Sequence, residues 1–297
     1  MKKSVRLPAF AKINLCLHVL GPRPDGYHEL RTIFQTIGLR DKLELSRTAH
    51  PGITLEVNDA SLPAGSENLV YRAIDAIGGE IGFPGGVHAR LEKRIPVARG
   101  LGGGSSDAAA ALIGMLRLSD KKLPLARLIE IAAGLGTDVP FFLFGGRALA
   151  LNRGDEIYPL PNVPKRTILV VSPRNISVST KDAYQWLSAE LTKRSEPHRI
   201  WGFCALCWSR QGAGVSNDFE GPVFRRHPRL GEIRAGLLQR GAADAALAGS
   251  GSAVFGVYRN PAQARRAAQE FPEDSVYIVD TLSREDYGRA LGWRVNG

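Results

Sequence analysis

A run of glycine and serine stands directly in front of an alanine-rich stretch in "PVARGLGGGSSDAAAAL", residues 96–112. Each glycine costs roughly 0.5–1 kcal/mol in regular structure, so four of them within five positions are unfavourable unless a ligand approaches the backbone closely. Alanine has the highest helix propensity, which predicts a helix from Ser105 to about Leu118. Ser105 or Ser106 is available as its N-cap, and Asp107 is expected in its first turn.

The start of such a helix is suited to binding an anion. The first N–H groups have no partner within the helix, and the helix dipole adds about half a positive charge there. Glycines carry no Cβ that would block a phosphate. The Walker pattern G-x-x-x-x-G-K-[ST] is absent, and Ser105 stands where the dinucleotide pattern G-x-G-x-x-G has its third glycine. Taken alone, the loop is also compatible with a flexible linker or a tight packing loop.

The bulk composition is that of a globular protein, with 297 residues, of which 44% are hydrophobic and 23% charged. A formal net charge of +10 favours an acidic partner, but it does not choose between a nucleotide and a nucleic acid. No apolar run is long enough to cross a bilayer, and the basic N-terminus lacks the apolar core of a signal peptide. We therefore expect a cytoplasmic protein without membrane contact.

Three cysteines are present, Cys16, Cys204 and Cys207. This odd, small number is typical of a reducing compartment rather than a disulfide scaffold. The last two form one CxxC, but no second ligand pair accompanies it. Small apolar residues are therefore favoured over a zinc or redox site, and no metal-ligating residue is assigned.

The order of patterns along the chain predicts two domains, residues 1–160 and 161–297. The first third reads as strands, with "INLCLHVLG", "LRTIFQTIGL", "DKLELS" and "ITLEVN" between turn signals. A helix at "ENLVYRAIDAI" and a strand at "GVHARLE" follow, so the glycine loop lies between a strand and a helix. "TDVPFFLFGG" is expected to form a turn and then a strand. After Pro161 the alternation of strands and helices begins again, except in residues 193–217, which show no clear period.

Three polar residues and a second glycine loop stand out from their surroundings. Lys12 and Asn14 alternate with apolar residues in "AFAKINLCLHV" and therefore share one face of a strand. Asp138, in "GTDVPFF", is either a turn residue or a general base. "LAGSGSAVFG", residues 247–256, is either a plain glycine hairpin or a second loop that closes over the same polyphosphate.

Together, "PAFAKINLCLHV", "PVARGLGGGSSDAAAAL" and "LAGSGSAVFG" resemble the three motifs of the GHMP small-molecule kinases, in the same order and at similar spacing. The resemblance implies an α+β fold of two domains, with a ribosomal S5 domain 2-like N-terminal domain and a C-terminal α/β sandwich domain. "RPDGYHEL" and "TDVPFFLFGG" resemble the members that phosphorylate the 2-hydroxyl of a cytidine diphosphate-linked methylerythritol, in the non-mevalonate route to isoprenoid precursors.

The resemblance also implies roles for individual residues. Lys12 and Asp138 match the catalytic pair, and Asn14 falls at a substrate-binding position. Tyr27, His28 and Tyr184 match residues that recognise cytosine, with the two tyrosines on either side of the base. Asn68 and Lys93 fall where the family binds adenine. The residues that match the ATP phosphate loop are Pro96, Val97, Ala98, Arg99, Gly100, Leu101, Gly102, Gly103, Gly104, Ser105 and Ser106. Arg99 stands where relatives usually have a small residue, and it can face either phosphate or solvent.

The expected cofactors are ATP and Mg²⁺, with Ser105 or Ser106 as a candidate ligand of the ion. The expected partner is the small cytidine diphosphate substrate, not a nucleic acid, and a homodimer is left open. Another kinase of the family, of mevalonate or homoserine type, is the nearest alternative. An RNA-binding module is a different alternative, suggested by the net charge and the S5-like fold, but interleaved basic and aromatic runs are absent.

Overall fold

The structure, a computed structural model, describes residues 2–191 and 214–294, except the side chains of Glu190 and Leu191. Cys204 and Cys207 lie outside the described residues. Two β-sheets and nine helices make up this part of the chain, in a mixed α+β arrangement. The strands are β1 (Ser4–Pro22), β2 (His28–Thr48), β3 (Gly52–Val57), β4 (Gly86–Glu92), β5 (Arg147–Asn152), β6 (Glu156–Pro159), β7 (Thr167–Ser172), β8 (Ser216–Asn217), β9 (Asp244–Leu247), β10 (Val254–Tyr258) and β11 (Ser275–Asp280).

The helices in the same residues pack on these sheets. They are α1 (Leu69–Ile81), α2 (Gly103–Ser119), α3 (Leu125–Leu135), α4 (Phe141–Phe144), α5 (Thr180–Leu191), α6 (Glu220–Arg226), α7 (Pro228–Gln239), α8 (Pro261–Ala268) and α9 (Arg284–Leu291). Of the described helices, none is both long enough and apolar enough to cross a bilayer.

The first sheet is built on a long antiparallel pair, β1 and β2, which contact each other along most of their length. Its strand order is β3-β4-β2-β1-β8, and β5 pairs with both β2 and β6. The two predicted strands "LRTIFQTIGL" and "DKLELS" form one continuous strand, β2, because the backbone ladder to β1 continues across Arg40 and Asp41. Helices α1, α2 and α3 cover one face of this sheet and share its core.

Helix α2 begins earlier than the serines predict. Its first residue is Gly103, and Gly102 is the N-cap with φ at +72°, a left-handed conformation that glycine adopts without strain. The expectation that Ser105 or Ser106 caps the helix is therefore wrong, since both lie inside it. Asp107 is the fifth residue of the helix, not a first-turn residue, and it is buried.

The segment after Asp138 also differs from expectation. "FFLF" forms one short helix, α4, instead of a strand. Pro140 precedes it in a helical conformation, and Gly145 ends it at φ +62°. Three of its four side chains are buried in the first core, so tertiary packing outweighs the β propensity of phenylalanine here.

The second sheet has the antiparallel order β11-β7-β10-β9. Helices α5 to α8 cover one of its faces. The other face contributes Val170 and Phe255 to a third apolar cluster, which also contains Ala11 and Ile13 of β1. Because side chains alternate along a strand, Lys12 and Asn14 point to the opposite face of β1, as their spacing predicts.

Two elements from the second half of the chain join the first sheet or its core. Strand β8 pairs in parallel with β1, and α9 places Tyr287 and Leu291 in the core of the first sheet. The division at residue 160 stays a prediction, and these contacts join the two halves.

Candidate active site

A cavity of about 900 Å³ lies where β1, β2, the start of α2 and helix α5 meet. The predicted residues Lys12, Asn14, Tyr27, His28, Asn68, Lys93, Pro96, Val97, Ala98, Arg99, Gly100, Leu101, Gly102, Gly103, Gly104, Ser105, Asp138 and Tyr184 all line it. Ser106 does not line the cavity; it is buried, and its Oγ has no hydrogen-bond partner. Residues that are far apart in sequence are therefore placed around one space.

Lys12 and Asp138 form an ion pair inside this cavity, with Lys12 Nζ 3.4 Å from Asp138 Oδ2. The lysine side chain is almost fully buried, while 29% of the aspartate side chain is exposed. Lys12 Nζ also donates to Asn14 Oδ1 at 2.8 Å. The arrangement combines a fixed positive charge with a carboxylate that a molecule in the cavity can reach.

The glycine loop rests directly on β1. The backbone N–H of Lys12 donates to Leu101 O at 3.0 Å. A Cβ on Gly102 would lie 2.9 Å from the Phe142 ring and 3.0 Å from Lys12 Cγ, so only glycine fits there at the observed φ of +72°. The loop thus brings the amino end of α2, with its unpaired N–H groups, next to the lysine.

The second glycine loop, residues 247–256, packs against the first. A Cβ on Gly100 would lie 1.8 Å from Ala248 O, so the two backbones are in direct contact. Arg99 Nη1 donates to Ser252 Oγ at 2.6 Å, and Ala253 N donates to Arg99 O at 3.3 Å. Arg99 therefore joins the two loops, while Gly249 and Ser250 of the second loop line the cavity.

Lys93 lies between two buried carboxylates beneath the start of α2. Its Nζ contacts Asp41 Oδ2 and lies 2.7 Å from Asp107 Oδ2. Asp41 also accepts from the backbone N–H groups of Arg94 and Ile95, whereas Asp107 Oδ1 has no partner. Burial raises the pKa of Asp107 to about 8, although the charge of Lys93 acts in the opposite direction.

The polar side-chain atoms of both predicted adenine-binding residues have partners within the protein. Asn68 is the N-cap of α1, where Oδ1 accepts from Val70 N at 2.9 Å, and its Nδ2 donates to Pro63 O. The ammonium of Lys93 is shared by the two carboxylates. These contacts leave one N–H and one lone pair on the Asn68 amide, and one N–H on the Lys93 ammonium, for a further hydrogen bond.

The three predicted cytosine-binding residues lie together at another part of the cavity wall. His28 stacks on Tyr184, with ring centroids 4.7 Å apart and ring planes at 30°. His28 Nε2 is 2.8 Å from Ser188 Oγ, and burial lowers the pKa of this histidine, so it is neutral at neutral pH. Tyr27 is half exposed, and the guanidinium of Arg153 lies 5.0 Å from its ring centroid.

The sequence patterns did not identify two candidate functional residues, Thr32 and Asp41. Thr32 is buried in the cavity wall beside Asn14, and it lies between Leu30 and Phe34 on the same face of β2. That alternation of one polar residue among apolar neighbours is the signal that could have identified it. Asp41 follows no such pattern, and only the folded structure shows its contact with Lys93.

Two family models match this sequence, "GHMP kinases N terminal domain" over residues 68–146 and "GHMP kinases C terminal" over residues 200–276. The 4-diphosphocytidyl-2-C-methyl-D-erythritol kinase of Solibacter usitatus (strain Ellin6076) is 46% identical, over 98% of this chain and 92% of the relative. The enzyme of the same name from Moorella thermoacetica (strain ATCC 39073 / JCM 9320) is 43% identical, over 90% of this chain and 94% of the relative. This chain belongs to the 4-diphosphocytidyl-2-C-methyl-D-erythritol kinase family of GHMP kinases.

Solved structures agree with this membership. A crystal structure of 4-(cytidine 5'-diphospho)-2C-methyl-D-erythritol kinase is 36% identical and superposes with a TM-score of 0.79, over 93% of this chain and 99% of the other. A mevalonate kinase from L. major is only 15% identical and has a TM-score of 0.70, so it shares the fold alone. The predicted two-domain GHMP kinase fold is confirmed.

Proposed function

We propose that this chain transfers the γ-phosphoryl group of ATP to the 2-hydroxyl of 4-diphosphocytidyl-2-C-methyl-D-erythritol, in the non-mevalonate route to isoprenoid precursors. Membership in the kinase family supports the substrate. The observation that carries the proposal is the Lys12–Asp138 pair, 3.4 Å apart, inside a cavity that the glycine loop and the predicted cytosine-binding residues also line.

In this proposal Asp138 is the general base. Its partly exposed carboxylate accepts the proton of the substrate hydroxyl, and the hydroxyl oxygen then forms the new bond to phosphorus as the bond to the ADP oxygen breaks. A base in this role contributes typically about 10²–10⁴ in rate. Lys12 compensates negative charge on the oxygens during transfer, which matters because phosphoryl transfer depends mostly on positioning and charge stabilisation.

The two glycine loops support the polyphosphate in this proposal. The N–H groups at the start of α2 would donate to phosphate oxygens, and Gly249 and Ser250 of the second loop line the same cavity. Arg99 does not need to contact phosphate, because its guanidinium bonds to Ser252 and joins the two loops. Asn68 and Lys93 remain proposed neighbours of adenine.

The residues present also fit a Mg²⁺ ion. This ion keeps most of its waters and takes few protein oxygens, so it does not require a group of three or more acidic, histidine or cysteine ligands, and the described residues contain no such group. Ser106 Oγ is buried without a partner, and Ser105 Oγ lies 4.0 Å from the position that a Cβ would take on Gly136, two residues before Asp138. Ser105 is the better-placed candidate ligand, because it lines the cavity, whereas the buried Ser106 would first have to turn toward it. Bound Mg²⁺ would neutralise charge on the phosphates.

Cytosine recognition is proposed for Tyr27, His28 and Tyr184. Stacked His28 and Tyr184 form a flat aromatic surface, and the half-exposed ring of Tyr27 offers a second one. Burial and then the charge of Asp138 raise the pKa of Tyr184, so its hydroxyl stays protonated. Asn14 is a proposed substrate contact, and a cytoplasmic location and a homodimer stay predictions.

The purified protein tests this proposal directly. ADP release is measured with ATP and Mg²⁺ in the presence of 4-diphosphocytidyl-2-C-methyl-D-erythritol, mevalonate, homoserine or no alcohol, and the product is identified by mass spectrometry and ³¹P NMR. We expect turnover with the cytidine diphosphate substrate only, and a phosphate ester on its 2-hydroxyl. Turnover with mevalonate or homoserine instead would reassign the substrate, and no turnover with any alcohol would refute the kinase assignment.

A further inference from the structure

A buried chain of side-chain hydrogen bonds runs from Lys12 along the cavity wall. Lys12 Nζ donates to Asn14 Oδ1 at 2.8 Å, and Asn14 Nδ2 donates to Thr32 Oγ1 at 2.7 Å. Thr32 Oγ1 in turn donates to Cys16 O at 2.6 Å. Lys12, Asn14 and Thr32 are at most 4% exposed, so water does not compete strongly for these bonds.

The chemistry of these groups allows only one direction along the chain. A backbone carbonyl can only accept, so the single hydrogen of the Thr32 hydroxyl is used on Cys16. The threonine oxygen can then only accept from Asn14, which places the amide nitrogen toward Thr32. The carbonyl oxygen of Asn14 is thereby turned toward Lys12, whose ammonium can only donate. With the amide rotated by half a turn, an N–H₂ group would face the ammonium.

The backbone around these residues explains why such a fixed orientation is needed. The pairing of β1 with β2 shifts register between Phe10 and Lys12, and again between Asn14 and Cys16. Bulges of this kind re-aim side chains and interrupt the backbone ladder. The segment that carries Lys12 is therefore held less by strand pairing than its neighbours, and the side-chain hydrogen bonds supply the missing constraint.

We propose that Thr32 is a positioning residue for phosphoryl transfer, which fixes the amide of Asn14 and through it the ammonium of Lys12 beside Asp138. This inference rests on the proposed function, since it assumes that Lys12 and Asp138 act on the substrate. Thr32 itself need not touch the reacting atoms. Its contribution depends on the hydroxyl and not on the volume of the side chain.

Two substitutions distinguish the effect of the Thr32 hydroxyl from the effect of its side-chain volume. Thr32→Val keeps the shape but removes both hydrogen bonds, and Thr32→Ser keeps the hydroxyl. We expect Thr32→Val to lower kcat about 10- to 100-fold, as expected for a displaced catalytic group, with less than about a 3-fold change in the KM for ATP. Thr32→Ser should retain kcat within about 3-fold of the unaltered protein. The proposal would be overturned if Thr32→Val had the same kcat as the unaltered protein. It would also be overturned if Thr32→Val and Thr32→Ser lowered kcat by the same factor.

A double-mutant cycle tests whether Thr32 acts through Asn14. When Asn14→Ala removes the amide, Thr32→Val should lower kcat by less than about 2-fold further, whereas independent effects would multiply. Multiplied effects would refute the positioning role. A crystal structure of Thr32→Val should show Lys12 Nζ moved away from Asn14 Oδ1, and an unmoved ammonium would contradict the proposal even if kcat falls.

The proposed function is tested separately by the unaltered protein in the same assay. If that protein does not phosphorylate the substrate, the proposed function fails. The role of Thr32 is then tested only by comparing the position of Lys12 Nζ in crystal structures of Thr32→Val and the unaltered protein. If it is active and Thr32→Val matches it, only the role of Thr32 is refuted. Thermal unfolding and ATP binding of each variant show whether the fold and the nucleotide site are intact.

Discussion

An aspartate that accepts a proton can be replaced by an amide of nearly the same shape, so Asp138→Asn separates the chemistry of this residue from its packing. We expect ATP affinity within about 3-fold of the unaltered protein and a kcat at least about 100-fold lower, because the amide cannot take the hydroxyl proton. Lys12 keeps Asn14 as a partner in this variant, so the site should stay assembled. ATP titration calorimetry and steady-state kinetics measure the two effects.

A control for this substitution is Asp75→Asn, which changes the same group on the exposed face of α1. Its kcat should match that of the unaltered protein. If Asp138→Asn retains full turnover, another group is the base, and the short distance to Lys12 has a structural role only.

We expect Asp107 to make the stability of the protein depend on pH. Burial raises its pKa to about 8 in the folded protein, from an ordinary value of 3.8. Between these values the folded state binds a proton that the unfolded chain has released, so the free energy of unfolding falls as the pH rises from about 4 to about 8. One such proton contributes at most about 1.4 kcal/mol per pH unit.

The variant Asp107→Asn should flatten this slope. An asparagine oxygen can still accept from Lys93, while the titrating proton and the second buried negative charge beside Asp41 are gone. Urea unfolding at several pH values between 5 and 8 measures the slope, with Asp75→Asn as the control that leaves it unchanged. Identical slopes for Asp107→Asn and the unaltered protein would show that Asp107 is ionised throughout.

The two glycine loops contact each other at the proposed phosphate site. Gly100 lies at φ +76°, and its missing Cβ leaves room for Ala248 O. Gly100→Ala combines an unfavourable backbone conformation with a clash against backbone that cannot move aside. We expect the loops to separate, the KM for ATP to rise at least about 10-fold, and the free energy of unfolding to fall by more than about 1 kcal/mol.

Gly134→Ala is the matched control for this prediction. Gly134 lies in α3 with no atom within 4 Å of its ideal Cβ position. Gly134 is exposed in the last turn of this helix, so Gly134→Ala should change the free energy of unfolding by less than about 0.5 kcal/mol and leave the KM for ATP unchanged. A Gly100→Ala protein with normal ATP affinity would show that the loop contact does not shape the nucleotide site.

Sequence patterns predicted the elements in which apolar and polar residues alternate regularly. The alternation around Lys12 and Asn14 correctly predicts a shared face, since both line the cavity while Ala11 and Ile13 enter the apolar cluster. The resemblance to the kinase motifs correctly predicts that Lys12 and Asp138 meet, which no local pattern could show.

What the sequence patterns missed depends on contacts between distant segments. Asp107 was expected in the first helical turn, but it is the fifth residue of α2 and is buried against the ammonium of Lys93. The short helix α4 depends on burial of its phenylalanines and on Gly145, whose left-handed φ ends it. No periodicity in the chain encodes such partners, because they come from elements that are far away in sequence.

At the scale of the whole molecule, the last described helix closes the first core. In α9, Tyr287 is buried, and its hydroxyl donates to Phe142 O at 2.5 Å. A Cβ on Gly145 would lie 2.2 Å from the Tyr287 ring, so the tyrosine fits against the end of α4. Helix α4 begins three residues after Asp138, and α9 therefore packs against the segment that carries the proposed base.

The shared apolar cluster and α9 predict that the two sheets unfold together. Calorimetry should show one transition, with equal calorimetric and van't Hoff enthalpies. Tyr287→Ala should lower the free energy of unfolding by about 3–5 kcal/mol and shift this single transition, because it empties a buried site between α9 and α4. Tyr158→Ala, at an exposed position on β6, should cost less than about 1 kcal/mol. Two transitions in the unaltered protein would mean that the halves fold independently despite their contacts. The same conclusion would follow if Tyr287→Ala lowered the stability of only one part of the molecule.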